Sequence, residues 1–197
     1  MDSDDAILVE RTRAGDAEAF RTLVERYSAQ LFRVAYRIVG DVPSAEDAVQ
    51  ETFLRTYRAL DRFDDRAQFR TWLFRIAVNT AIEILRKHQR QRSHQEWGEA
   101  GEMAPLPSHA PGPDRHAFSD EIERAVRGAL TALTAVERAA FVLRHFEGRS
   151  IAEICGVLGV RENAGKQAIF RAVKKLRRVL EPLIDRRAPR TGREVLL

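Results

Sequence analysis

The sequence predicts an all-α protein, built as two small helical domains joined by a flexible linker. Three observations carry this expectation. Apolar residues recur at i, i+3, i+4 and i+7 through both halves of the chain, the period of a helix with one face on a core. Capping and breaking residues bracket each stripe. Between the halves, residues 94–117 hold Pro105, Pro107, Pro111 and Pro113 with Gly98, Gly101 and Gly112, and no periodicity survives. A structureless stretch of that length is unusual inside one compact domain, so two domains are expected: 1–93 and 118–185. A basic tail, 186–197, carries Arg186, Arg187, Arg190 and Arg193 and is expected to be disordered. No segment alternates as a strand would, and no repeat is visible.

The elements follow in order. A short helix covers about Asp4 to Ala14 and stops at Gly15. Asp16 caps a long helix whose stripe is Phe20, Leu23, Val24, Tyr27, Leu31, Val34, Ala35 and Ile38. Gly40-Asp41 breaks it. Pro43-Ser44 opens the next helix, with Ser44 and Asp47 as a capping-box-like pair; its core face is Ala45, Ala48, Val49, Thr52, Phe53, Thr56 and Leu60. After the loop 61–68 a helix from Phe69 to about Arg90 buries Phe69, Trp72, Leu73, Ile76, Ala77, Thr80, Ile84 and Leu85. Beyond the linker, a helix over 119–133 presents Ile122, Val126, Leu130 and Leu133. Thr134/Glu137 and Ser150/Glu153 are capping boxes for two more helices, ending at Gly148 and Gly159. A final helix runs from Glu162 to about Leu180.

Composition removes several function classes. A single cysteine, Cys155, rules out an intramolecular disulfide and points to a reducing compartment. It lies on an apolar stripe, as a core thiol does. No apolar run is long enough to cross a bilayer, and the acidic opening Met1-Asp2-Ser3-Asp4-Asp5 is unlike a secretory signal; a cytoplasmic protein is expected. There is no phosphate-cradling glycine loop, no CxxC and no HExxH, and the five histidines are not at metal-ligand spacing. No catalytic residue, cofactor or metal is expected. The net charge of +4 says little, while a sequence pI near 9.6 suits a nucleic-acid partner among others.

Residues 150–180 have the outline of a helix-turn-helix: a short capped helix, a tight turn at Gly159-Val160 and a longer second helix. The second helix carries Lys166, Arg171, Lys174, Lys175, Arg177 and Arg178, cations suited to phosphates flanking a major groove. A solvated basic helix in a small bundle is the competing reading. In the first half, Asp47, Gln50, Glu51 and Leu54 share one helix face. Spacing alone favours an ordinary acidic surface there over a partner surface. Around 63–92, aromatic residues sit among cations: Phe63, Phe69 and Trp72 beside Arg62, Arg66, Arg70 and Arg75. That mixture suits single-stranded DNA, although the period of Phe69 and Trp72 equally predicts core.

The stretch Asp41-Val42-Pro43-Ser44-Ala45-Glu46-Asp47-Ala48-Val49-Gln50-Glu51-Thr52-Phe53-Leu54-Arg55 resembles the polymerase-binding helix of bacterial extracytoplasmic-function sigma factors (group 4 of the sigma-70 family). Phe69-Arg70-Thr71-Trp72-Leu73-Phe74-Arg75-Ile76-Ala77-Val78-Asn79 resembles that family's −10 segment, and 130–180 its −35-binding domain. The resemblance implies a region 2 bundle, a region 4 helix-turn-helix and a division of labour. Asp47, Gln50, Glu51 and Leu54 would bind RNA polymerase core at the clamp, with the flap as a second core contact. Phe63, Arg66, Phe69, Arg70, Trp72, Arg75, Asn79, Arg86 and Lys87 would open and read the −10 element of promoter DNA. Arg161, Glu162, Asn163, Lys166, Gln167, Arg171, Lys174 and Lys175 would dock on the −35 element. The linker, with Glu96, Glu99 and Glu102, would thread toward the polymerase cleft, and an anti-sigma factor would restrain the protein. A helix-turn-helix regulator that never touches polymerase is the alternative; it leaves the Asp47/Glu51 face and the 63–79 motif without a purpose. The chain departs from the family pattern at the start of its recognition helix. Arg161 stands at the cap, Ala164 replaces a threonine, and Gly165 sits inside a helix at a cost of about 1 kcal/mol relative to alanine.

Overall fold

The computed structural model describes residues 3–64, 68–95 and 128–185. Arg66, the linker from residue 96, Ile122, Val126 and the tail lie outside the described residues.

Helix α1 (Ser3–Arg13) ends before Gly15, whose φ of +91° is one that glycine takes without strain. Asp16 caps α2 (Ala17–Val39), accepting from the backbone N–H of Glu18 and Ala19 at 3.0 and 3.2 Å. The two helices are tied by Asp5, which is buried and accepts from Arg26 at 2.6 Å and from the Tyr27 hydroxyl. Gly40, at φ +100°, closes α2 by donating to Tyr36 O at 2.8 Å.

Helix α3 (Val42–Ala59) starts differently from expectation. Its cap is Asp41, whose Oδ1 accepts from Ser44 N at 2.8 Å. Ser44 itself is buried in the first turn. Pro43 explains the shift: its fixed φ and missing donor suit the first helical positions, so the cap falls before it. A 3₁₀ turn (Leu60–Arg62) follows, then α4 (Phe69–Gln95), about a turn longer than predicted. Helices α2, α3 and α4 pack on one another around Leu23, Leu31, Ile38, Ala48, Phe69, Leu73 and Leu85. Thr52 and Thr56, buried on α3, satisfy their hydroxyls on the carbonyls four residues back.

The second half resumes with helical residues 128–131, then α5 (Ala135–His145), α6 (Ile151–Leu158) and α7 (Glu162–Asp185). Both expected capping boxes form. Thr134 accepts from Glu137 N at 3.2 Å while Glu137 accepts from Thr134 N at 2.9 Å; Ser150 and Glu153 repeat the pattern at 3.2 and 2.8 Å. Gly159, at φ +64°, ends α6.

Among the described residues, Ala135, Ala139, Val142, Leu143, Ile154 and Val157 belong to the same buried cluster as the residues of α1–α4, and Ala129, Leu133, Ala172 and Leu176 form a second cluster within the second half. Helices α5 and α6 are seated on α2 and α4.

Candidate functional site

Three surfaces take shape around this frame. The first is an open apolar groove of about 1090 Å³ along α2 and α3. Phe20, Val24, Phe32, Val49, Phe53, Leu54 and Tyr57 line it, with Glu46 and Gln50 on its rim. Leu54 and Tyr57 are 46% and 55% exposed. Together with the groove lining they make one continuous apolar strip. Asp47 and Gln50 are exposed beside it. Glu51 is placed differently: half-buried, it accepts from Arg55 Nε at 2.7 Å, and Arg55 reaches on to Glu83 of α4 at 2.8 Å. Glu51 therefore braces α3 against α4 as well as facing outward. Sequence reasoning assigned Phe20 and Val24 to the core stripe and passed over Phe32 and Tyr57, which stand just beside the two stripes. The signal was a stripe too wide for one buried face.

The second surface lies on α4. Arg70, Arg75, Arg86 and Lys87 are exposed, Asn79 and Trp72 partly so. Phe63 and Phe69, which the resemblance put on the −10 surface, are 5% and 1% exposed and belong to the buried cluster, as the helical period of Phe69 also predicts. Their rings meet edge to face at 5.7 Å, and Trp72 closes the cluster, 4.9 Å from Phe63. An unforeseen residue holds this cluster. Arg13, from α1, donates to Leu60 O at 3.2 and 3.1 Å and to Phe63 O at 2.6 Å. Leu60 O also accepts from Phe63 N at 3.1 Å, so the guanidinium adds a charged donor at the end of the turn, where the negative end of the helix dipole favours a cation.

The third surface is α7. Glu162, Asn163, Lys166, Gln167, Arg171 and Lys174 are exposed along it, and Arg161 stands exposed just before it. Lys166 pairs with Glu162 at 2.5 Å, an ion bridge that depresses the Glu162 carboxyl and raises the Lys166 ammonium. Exposed pairs of this kind are worth at most about 1 kcal/mol, so the Lys166 ammonium is readily released to a phosphate. Arg171 donates to Gln167 at 3.0 Å. Phe170, 67% exposed on the same face, escaped the sequence reading; it is the apolar residue standing off the buried stripe of Ala168, Ala172 and Leu176. Lys175, its side chain 39% exposed, donates to Glu137 at 2.7 Å and to Ala132 O at 3.2 Å. Burial alone would raise the Glu137 carboxyl, but Lys175 and the Thr134 N–H outweigh it and hold the group below its ordinary value.

Gly165 loses its puzzle in three dimensions. A Cβ there would run into Cys155 Sγ. The helix pair tolerates a thiol at 155 because nothing projects from 165. Among the described residues, no group of three or more His, Cys, Asp or Glu is placed to hold a metal ion, and no helix is long and apolar enough to cross a membrane.

Comparison with known proteins fits this layout. The model of Sigma-70 region 2 matches residues 23–91 and that of Sigma-70 region 4 matches residues 123–176. The RNA polymerase sigma-H factor of Pseudomonas aeruginosa is 35% identical over 185 residues, 91% of this chain and 95% of that protein. The ECF RNA polymerase sigma-E factor of Escherichia coli K12 is 35% identical over 188 residues, 92% and 97% of the two chains. Among solved structures, CnrH in complex with the cytosolic domain of CnrY superposes with a TM-score of 0.62 at 29% identity, covering 91% of this chain and 99% of that one. RpoE of Bartonella quintana, solved with the anti-sigma factor NepR, shares the fold with a TM-score of 0.60 at 22% identity over 84% of this chain and 98% of that one. With both family regions matched in order and close relatives aligned almost end to end, the chain belongs to the extracytoplasmic-function sigma-70 family, and it is an RNA polymerase sigma factor for promoter recognition.

Proposed function

We propose that the chain, as a group 4 member of its family, divides promoter recognition among the three surfaces. Asp47, Gln50 and Leu54, with the apolar groove behind them, bind the polymerase clamp; the region 4 half meets the flap. Arg70, Arg75, Asn79, Arg86 and Lys87, with Arg66 and the edge of Trp72, open and read the −10 element. Arg161, Glu162, Asn163, Lys166, Gln167, Arg171 and Lys174 dock on the −35 duplex. The working units are 1–93 and 118–185, joined by the linker 94–117, and the protein acts in the cytoplasm, where polymerase is. An anti-sigma factor covers part of these surfaces when transcription is held off, as solved relatives with bound partners suggest. The chemistry of chain synthesis stays with polymerase.

The observation that carries this reading is the groove with Leu54 and Tyr57 exposed beside Asp47 and Gln50. A regulator that bound DNA alone would have no use for it. The test adds the purified chain to core polymerase and a promoter library. Transcripts starting at defined sites are the expected result, and an absence of both core binding and directed initiation would falsify the reading. Within it, Leu54→Asp weakens core binding by at least tenfold, because truncating an apolar anchor costs about 2 kcal/mol or more. Circular dichroism stays unchanged, since the side chain is half outside the fold.

A further inference from the structure

Helix α1 supplies none of the residues assigned above to DNA or polymerase, and it lies ahead of residue 23, where the region 2 match begins. Yet it grips both ends of the connection between α3 and α4. At the near end, Arg13 in the last turn of α1 donates from Nη2 to Leu60 O at 3.1 Å and to Phe63 O at 2.6 Å, and from Nε to Leu60 O at 3.2 Å. One guanidinium thus spans the 3₁₀ turn, which its rigid fork of donors can do and a point charge cannot. Its Nη1 pairs with Glu10 at 2.6 Å, about one turn back, and its side chain is only 19% exposed. At the far end, the buried Asp5 accepts from the Tyr27 hydroxyl, and the Tyr27 ring lies 6.1 Å from that of Phe69, the first residue of α4. Burial, together with Asp5, raises the Tyr27 hydroxyl far above its ordinary value, so it stays a donor. Leu8 and Val9 are buried, which seats α1 on the bundle.

The connection leads straight into the surface assigned above to the −10 strand. Arg70 and Arg75 are exposed just beyond it, and Trp72 is half-buried. Trp72 rests on Phe63, ring centres 4.9 Å apart, and the Phe63 carbonyl is the one Arg13 holds most closely. The backbone beneath this aromatic platform is therefore fixed before any DNA arrives. Single-stranded DNA binds by stacking its bases on such rings. A site that must order itself on binding gives up affinity to conformational entropy, and a site held ready does not. Arg13 is not placed to act by touching a base, because its donors face backbone carbonyls and Glu10. Any effect it has on DNA runs through the backbone it grips.

We propose that Arg13 is a positioning residue for reading the −10 strand: through the carbonyls of Leu60 and Phe63 it holds the α3–α4 connection, and with it the Trp72 platform, in the shape that accepts single-stranded DNA. Helix α1 is thereby part of the strand-reading machinery without being part of its surface. The inference rests on the assignment of the −10 surface given above. It separates the functions of the chain, since neither the groove along α2 and α3 nor the exposed face of α7 depends on the Arg13 contacts.

The test uses the full chain assembled with core polymerase, at a temperature where circular dichroism shows every variant folded. The proteins are the unaltered chain, Arg13→Ala, Arg13→Lys and Arg11→Ala. Arg11 is the charge control: it lies on the same helix, 55% exposed, and pairs with Asp16 at 2.6 Å. Three affinities are measured: for core, for a −35 duplex, and for a single-stranded −10 oligonucleotide, both DNAs taken from a promoter selected with the unaltered holoenzyme. Arg13→Ala is expected to weaken binding of the −10 strand about tenfold, the scale set by the backbone entropy of one residue, with core and −35 affinities within about twofold of the original. Arg13→Lys, which keeps the charge and loses the fork, is expected to recover only part of the loss, and Arg11→Ala to bind as the unaltered chain does. Unchanged strand affinity in Arg13→Ala would overturn the inference. So would an equal loss for core and −35 duplex, which would trace the effect to general loss of folding. Full recovery in Arg13→Lys, or the same loss in Arg11→Ala, would overturn it too, because charge alone would then suffice. An unaltered holoenzyme that forms with core but binds no −10 strand would overturn the −10 assignment itself, and the inference with it.

Discussion

Single residues show how three-dimensional placement changes the meaning of a side chain. Gly165 looks like a defect in a helix until Cys155 Sγ is seen filling the place its side chain would need. Gly165→Ala is therefore expected to destabilise by about 1–3 kcal/mol through overpacking, although helix propensity alone favours alanine by about 1 kcal/mol. Thermal melts of the single variant, Cys155→Ala and the double variant separate the two effects: the double variant should recover most of the loss, and a stabilised single variant would contradict the packing account. Arg13 was silent in the sequence because its partners, the carbonyls of Leu60 and Phe63, lie 47 and 50 residues away. Arg13→Ala leaves two partly buried carbonyls without their charged donor, a loss of about 1.5–3 kcal/mol on the scale of charge-assisted hydrogen bonds. It should also loosen the Phe63–Trp72 contact, visible as a change in tryptophan fluorescence; an unchanged melting curve would show that solvent replaces the guanidinium. Glu51 carries a warning for charge reversal on the surface proposed to meet polymerase. Because it holds Arg55 against Glu83, only Asp47→Lys tests that surface without disturbing the α3–α4 brace.

At the scale of elements, the caps were the most legible part of the protein. Asp16, Thr134/Glu137 and Ser150/Glu153 act locally, within three residues, so residue order alone specifies them. The exception, Asp41 in place of Ser44, turns on one competing local rule, the preference of proline for the first turn. These caps also give the second half a pH dependence. The Ser150 backbone N–H, its hydroxyl and Arg149 hold the Glu153 carboxyl down to about 2, against 4.5 ordinarily. Glu137 is depressed as well, by Lys175 and Thr134 acting against burial. A carboxyl whose folded value is depressed adds stability above its unfolded value and loses it as pH falls through the folded one. Unfolding of the chain should thus become easier progressively from about pH 4.5 toward pH 2, followed by denaturant titration at each pH. In Ser150→Ala the cap loss of about 1 kcal/mol should appear near neutral pH, and the acid dependence should weaken because the hydroxyl's share of the Glu153 shift is gone. A parallel acid limb in both proteins would show that Glu153 is not coupled to the cap.

For the whole molecule, the shared core of α1–α4 with α5 and α6 predicts one cooperative calorimetric transition despite the long connection between the halves. Arg37→Glu, which breaks the pair Arg37 makes with Glu147 of the second half at 2.9 Å, should split or broaden it, and two separate transitions in the unaltered chain would mean the contact between the halves contributes little. The sequence by itself determined the helices, their buried stripes and most of their ends, because a 3.6-residue period and capping chemistry act over a few residues. It also carried the family motifs in order. It could not separate the buried Phe63 from the exposed residues of α4, nor Lys175, which is paired with Glu137, from its neighbours on α7, since residue type and charge are the same in both cases. Nor could it show that the apolar faces of α5 and α6 would cover α2 and α4, or that Arg138 would cap a helix by donating to a carbonyl 101 residues earlier. Those matters were decided only in the tertiary structure, because a buried apolar face specifies that it must be covered and not by what.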